Sequence, residues 1–250
     1  MLKIIAIGDI HTEWGLLYQA LKSAFAMDAS GNPTAPVLDG RYKVILMGDL
    51  LHPKTIVRYE EITGRESYDF RNPDHLKSAS RAQVRELYKL KDYVDKAGGN
   101  VEILLGNHDD AALEHKFLLG NAMGVIHAEF DPAKSGTPLP DDLLEWIRSF
   151  KRYIRIDGIH FSHAGPLPGM MYFDDFFYND RDTKHWWHEK PHYVRDAGHT
   201  FGVYGHTVMK DGIVLNLEAG FAMIDALEKR QYLELMIADD KQFKVRVAEF

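Results

Sequence analysis

Five short stretches of this chain set acidic, histidine or asparagine side chains beside or near glycine: Gly8-Asp9-Ile10-His11, Gly48-Asp49, Gly106-Asn107-His108-Asp109, His163-Ala164-Gly165 and Gly205-His206-Thr207. Their donor atoms are carboxylate and amide oxygens and imidazole nitrogens, a set that suits a hard-to-borderline divalent ion such as Mn²⁺, Fe²⁺ or Zn²⁺. The sequence has no cysteine, so no thiolate competes for the role. Two carboxylates, several histidines and an asparagine exceed what a single four-coordinate ion takes, which points to a two-metal site. Taken singly, each residue has a plainer use. Asp9 and Asp49 suit helix N-caps, a lone histidine such as His163 or His206 is more often a satisfied polar residue, and Asn107-His108 can form a turn that caps a helix. The combination carries the metal reading.

Residues so far apart in sequence meet only if the fold delivers them, and the runs before them indicate how. Leu2 to Ile7 is a short apolar run ending at Gly8, which reads as a strand buried on both faces. Trp14, Leu17, Leu21 and Phe25 then recur at helical spacing behind Thr12 as N-cap, until Asp28 to Pro36 breaks the pattern. The same order repeats. Lys43 to Met47 reads as a strand, a long polar excursion follows, and Leu87, Leu90, Val94 and Ala97 mark a helix stopped by Gly98-Gly99. Val101 to Leu105 is a third strand, followed by a short helix through Ala111, Leu113 and Leu118. Alternation of this kind predicts an α/β layered fold, in which ligands gather beyond the carboxyl ends of the strands.

The second half is richer in strands. After a connection from Asp131 to Pro140 and a helix over Leu143–Ile147, strands are expected at Tyr153–Ile156, Ile159–Ser162, Gly202–Tyr204, Ile213–Leu217, Tyr232–Ile237 and Phe243–Val247, the last two as a hairpin. The length of 250 residues suits one core, and we read a single domain over 1–250 with an insertion at 166–200 that borders the site.

A hydrophobic fraction of 45% and a charged fraction of 27% exclude disordered and fibrous classes. Subtracting 30 basic from 37 acidic residues gives a net charge of −7, which disfavours nucleic acid and anionic membranes as partners. The first residues reach Gly8-Asp9 too soon for a signal peptide, and no apolar run is long enough to span a bilayer. A soluble cytoplasmic protein is expected.

In order, the motifs run from Gly8 to Thr207 and resemble those of the calcineurin-like metallophosphoesterases. The single histidine of Gly205-His206-Thr207-Val208-Met209, where many members carry Gly-His-x-His, is similar to the serine/threonine phosphatase and diadenosine tetraphosphatase branch, as is Asn216-Leu217-Glu218-Ala219-Gly220. The resemblance implies a layered α/β/β/α sandwich of two mixed sheets flanked by helices. It also implies two divalent ions, Mn²⁺ foremost, with Asp9 and His11 on the first, Asn107, His163 and His206 on the second, and Asp49 bridging both. A hydroxide held between them would attack phosphorus, and His108 would protonate the leaving oxygen. Substrates implied are a phosphorylated small molecule, a dinucleoside polyphosphate or a phosphoprotein. A nuclease, or a scaffold that keeps the fold without the chemistry, are the competing readings.

One motif departs from that branch. Its usual Gly-Asp-x-x-Asp-Arg-Gly is Gly48-Asp49-Leu50-Leu51-His52-Pro53-Lys54 here, so the Asp that orients the catalytic histidine and the Arg that meets phosphate are both missing. His52 can take over the orienting role as a neutral acceptor or be a chance surface residue. For phosphate, Arg58, Arg81, Arg181 and Arg195 are candidates, since guanidinium matches phosphate oxygens in a fork. Arg195 ranks first because it lies shortly before the Gly205-His206 strand. Aromatics between Met170 and His192, among them Tyr172, Phe176 and Trp186, either pack a long connection or shape a substrate loop.

Overall fold

A computed structural model describes residues 1–113, 124–166 and 180–250, with side chains from 184 onward in the last segment. Two five-stranded sheets stack on each other, strands being numbered in chain order. In the first, β1 (Leu2–Ile7), β2 (Tyr42–Leu46) and β3 (Val101–Ile103) run parallel, and the antiparallel hairpin β9 (Gln231–Ile237) and β10 (Phe243–Glu249) joins β1 through β9. In the second, β5 (Ile159–Ser162), β6 (Phe201–Val208) and β8 (Phe221–Asp225) run parallel, edged by antiparallel β4 (Tyr153–Ile156) and β7 (Val214–Asn216).

The alternation along β1 shows why the sandwich forms. Ile4 and Ala6 join Ile45, Phe161, Val203 and Ile224 in the apolar layer between the sheets. Ile5 and Ile7 belong instead to the layer shared with Leu17 and Leu21 of α1 (Trp14–Ser23) and with Leu87 and Leu90 of the helix Pro73–Lys96. With no face left for water, such a strand reads as an unbroken apolar run. At roughly 1.5–3 kcal/mol for each large side chain fully buried, this two-sided burial fixes the strand in the centre. On the outer face of the second sheet, Trp186 of the helix Asp180–Glu189 and Val194 of the helix Tyr193–Asp196 pack with Tyr204, Phe221 and Met223. The result is the expected α/β/β/α sandwich of two mixed sheets.

Several local expectations are corrected. Thr12 does not cap α1; Glu13 holds the N-cap position without a side-chain hydrogen bond to the helix, while Thr12 has a left-handed backbone at φ 67°. Phe25 lies beyond the end of α1, 71% exposed, so its helical spacing was coincidental. The polar excursion contains a helix, Ile56–Thr63, capped by Thr55 accepting from the Arg58 amide and closed by Gly64 at φ 63°. It escapes notice because Tyr59 is its only buried residue. A further strand, β8, stands where the sequence pattern gives none, and it supplies Asp225. Leu118 and residues 167–179 of the expected insertion lie outside the described residues. No helix among the described residues is long and apolar enough to cross a membrane.

A buried pair of histidines, His160 of β5 and His199 of the loop before β6, makes stability depend on pH. His160 stacks on His199 with ring centroids 4.1 Å apart, and its Nδ1 lies 3.2 Å from the Tyr204 hydroxyl. Burial, aided by His199 and Arg155, pushes His160 from 6.5 down to about 3. The unfolded chain therefore takes up a proton that the folded chain refuses. This residue's contribution is full above the unfolded value of 6.5 and is lost as pH falls toward about 3, at ~1.4 kcal/mol per pH unit. Thermal melts between about pH 7 and pH 5 should show a smaller loss of Tm in His160→Gln than in wild type; equal losses would refute the assignment.

Candidate metal centre

The five motifs lie at strand ends. Asp9 and His11 follow β1, Asp49 follows β2, Asn107 opens the helix Asn107–Leu113 after β3, His163 follows β5, and His206 sits in β6 where its register with β8 shifts after Tyr204. An irregularity of that kind re-aims a side chain. His11, Asp49, His52 and His206 have left-handed backbones with φ of 41°, 50°, 67° and 63°. Each costs on the order of 1 kcal/mol, so the surrounding contacts must impose them. Glycine allows the close approach: a Cβ on Gly205 would overlap Asp9 Oδ1, and one on Gly106 would overlap the Asp49 backbone nitrogen.

The donor atoms face one another. His163 Nε2 lies 3.0 Å from Asn107 Oδ1 and 3.3 Å from Asp49 Oδ2, and His206 Nδ1 lies 3.0 Å from the same Asn107 oxygen. On the other side of Asp49, His11 Nε2 is 3.3 Å from Oδ2. The far ring nitrogens are anchored, His163 Nδ1 donating to Met47 O at 2.7 Å and His11 Nδ1 to His52 O at 2.8 Å. Both rings thereby turn Nε2 toward the cluster. Asp49 is common to two groups of donors lying within 4.8 Å of one another, one with His163 and His206 and one with His11 and His108. Asp9 stands beside them, its carboxylate accepting the His206 backbone N–H at 2.9 Å and lying 3.8 Å from His163 Nδ1. A third group, His185, His188 and Glu189, is exposed.

Charge is unbalanced at this place. Asp9 and Asp49 are each 2% exposed and His163 is fully buried. Burial, followed by the charge of Asp225, pushes Asp9 up to about 8. Burial opposes ionisation of Asp49 too, yet His163 beside it holds that carboxyl well below its ordinary range. Against its own burial, His163 is lifted to about 10 by Asp49 and Asp9. Lys54 is engaged by Asp225 at 2.9 Å. A buried, sulfur-free set of oxygens and imidazoles that draws positive charge from its own histidine fits divalent ions.

His108 donates its backbone N–H to Asp49 Oδ1 at 2.8 Å, and its ring Nδ1 lies 3.1 Å from His52 Nδ1. His52 is thus brought to His108. Burial holds it down at about 3, so it is neutral. Arg195 is not brought to the cluster. Its guanidinium donates to Thr200 O just before β6, whereas His206 lies toward the far end of that strand, about 20 Å on at the usual rise per residue. Nearness in sequence placed Arg195 at the wrong end of the right strand. Arg58 donates to Thr12 O at 2.5 Å and pairs with Glu13 and Glu61. Arg81 is exposed, while the Arg181 side chain and Tyr172, Phe173, Phe176, Phe177 and Tyr178 lie outside the described residues. Trp186 is buried, with Nε1 3.4 Å from Ala164 O, and seats its helix behind His163.

The calcineurin-like phosphoesterase family model matches residues 2–222. The chain belongs to that family. This phosphoesterase is therefore a phosphate-ester hydrolase with histidine and aspartate side chains positioned for metal. Among solved structures it is similar in fold to a cold-active protein-tyrosine phosphatase of a psychrophilic Shewanella species, with a TM-score of 0.57 and 15% identity over 98% of this chain and 80% of that one. It is likewise similar to a serine/threonine phosphatase from Saccharomyces cerevisiae, with a TM-score of 0.54 and 12% identity over 100% and 80% of the two chains. No curated protein matches the sequence.

Because a methyl group at position 205 meets the end of the Asp9 side chain, Gly205→Ala should displace that carboxylate more than it damages the fold. Elemental analysis of the purified variant is expected to show reduced metal content with Tm lowered by only a few degrees, a shift of about 1 kcal/mol or less. Full metal content would place Asp9 outside the centre.

Proposed function

We propose that this enzyme hydrolyses a phosphomonoester or a phosphoanhydride at a two-metal centre, with Asp9 and His11 on one ion, Asn107, His163 and His206 on the other, and Asp49 shared. The observation that carries this reading is the Asp49 carboxylate, which belongs to both donor groups. When bound, paired divalent ions, Mn²⁺ foremost, would make hydroxide available near neutral pH for attack on phosphorus and would stabilise the charge on attacking and departing oxygens.

The chain's own residues do the rest. Asp49 accepts the His108 backbone N–H and so ties the proton donor to the centre of the ligand set. With its Nδ1 on His52, His108 keeps Nε2 for the reaction; burial holds the ring neutral, so it would take up on Nε2 the proton brought by the substrate's phosphate monoanion and deliver that proton to the leaving oxygen. His163 and His11 are held by backbone carbonyls, which fixes their rings before any ion arrives. Substrate candidates are a phosphorylated small molecule, a dinucleoside polyphosphate and a phosphoprotein, and a panel of the three with the same Mn²⁺-loaded enzyme discriminates them.

His108→Ala should lower turnover of the preferred ester by roughly 10²–10⁴-fold and leave metal content near that of wild type; loss of metal would contradict the proton-donor role. Asp49→Ala should empty or disorder both positions, and retention of two full equivalents by elemental analysis would rule out a bridge. Absence of metal-dependent turnover with any ester, p-nitrophenyl phosphate included, would favour a scaffold without chemistry.

A further inference from the structure

Behind His108 lies a buried polar cluster with no part in the reaction as described. Gln83, Tyr59 and Glu129 are fully buried and His127 is 1% exposed. Burying a carboxylate, an amide and a phenol is often no more stabilising than apolar packing of the same volume, so such a cluster points to specificity of position.

Its hydrogen bonds have a defined direction. Glu129 Oε1 accepts from Gln83 Nε2 and from the Tyr59 hydroxyl, each at 2.7 Å. With its only proton committed to Glu129, the Tyr59 oxygen accepts from His127 Nδ1–H, 2.9 Å away. With its nitrogen on a carboxylate, the Gln83 amide cannot turn over, and its oxygen takes the His52 backbone N–H at 3.0 Å. The His127 ring, fixed in this way, lies parallel to the ring of His52 at a centroid distance of 4.6 Å and an angle of 8°. His52 is therefore gripped at its backbone and on its face. It needs that grip, because φ of 67° is a conformation a histidine keeps only when its surroundings impose it. Its remaining groups reach the centre, with Nδ1 3.1 Å from His108 Nδ1 and O accepting from His11 at 2.8 Å.

We propose that Gln83, Tyr59, His127 and Glu129 are positioning residues that act through His52 to hold His108 against the leaving oxygen. They supply from two helices and a loop the orientation that the missing Asp of the second motif gives in the family. The inference rests on the reading of His108 as proton donor, and it extends that reading to a relay of named side chains.

Gln83→Met and Tyr59→Phe each delete two hydrogen bonds at nearly constant volume, Gln83 those to Glu129 and the His52 backbone and Tyr59 those to Glu129 and His127, and the second is mild enough to fold if the first is not. A proton donor matters most where the leaving oxygen is basic. With Mn²⁺-loaded enzyme, kcat for an alkyl phosphate should fall ~10–100-fold in either variant, a part of what a well-placed acid supplies, while p-nitrophenyl phosphate should change by less than about threefold. Metal content should stay at the wild-type value. In the metal-free protein, NMR should find a slowly exchanging ring N–H shared by His52 and His108 that is lost in both variants. Equal losses on both esters, or persistence of that signal, overturn the relay. His108→Ala run in parallel separates the two levels: if it too loses equally on both esters, the proton-donor reading has failed. If it shows the difference and the relay variants do not, only the relay has failed.

Discussion

Everything at the centre is arranged around one buried carboxylate. Asp49 sits at the end of β2 with a left-handed backbone, one oxygen on the His108 amide and the other between His11 and His163. Out of water, an ionised carboxyl is tolerated only with hydrogen bonds and positive charge about it. The strained turns, the glycines that admit close approach and the lifted protonation of His163 all answer that requirement. Asp109, also buried, serves the same turn by accepting from the backbone of Gly106 and Leu50.

The two-sheet architecture is what makes such a site affordable. Parallel strands end together, so loops after β1, β2 and β3 on one sheet and after β5 and near the end of β6 on the other open onto one place. Strand cores buried on both sides are rigid, and the polar residues begin where the apolar layer stops. Lys54 and Asp225 join across this boundary, the first following β2 and the second closing β8.

Much of this was legible in the sequence for a physical reason. Gly106-Asn107-His108-Asp109 and Gly205-His206 each combine a local chemical signature with an apolar run that announces a strand, so both the residues and their placement could be read. His127, Glu129, Gln83 and Tyr59 carry no such signature. They are polar residues whose burial depends on which helix packs over which loop, and nothing in their own neighbourhood in the chain reveals it. Arg195 shows the complementary error, because adjacency to a strand does not say which of its ends a side chain shares. The helix Ile56–Thr63 shows no apolar stripe because Tyr59 alone of its residues is buried, and the strand β8 follows directly on the Gly220 turn.

The division of the donor set between the sheets carries a mechanical consequence. Asp9, His11, Asp49 and Asn107 belong to loops of the first sheet, whereas His163 and His206 belong to the second. Among the polar links between the halves are Asn107 to His163 and His206, His163 to Met47, the His206 backbone to Asp9 and Lys54 to Asp225. An ion coordinated from both sides would therefore be a further crosslink between layers held together over most of their area by apolar contact. Its binding energy would add to the cohesion of the sandwich by mass action, growing with the logarithm of ion concentration over its dissociation constant. On the proposed reading, catalytic readiness and the seam between the two sheets would be governed by the same equilibrium.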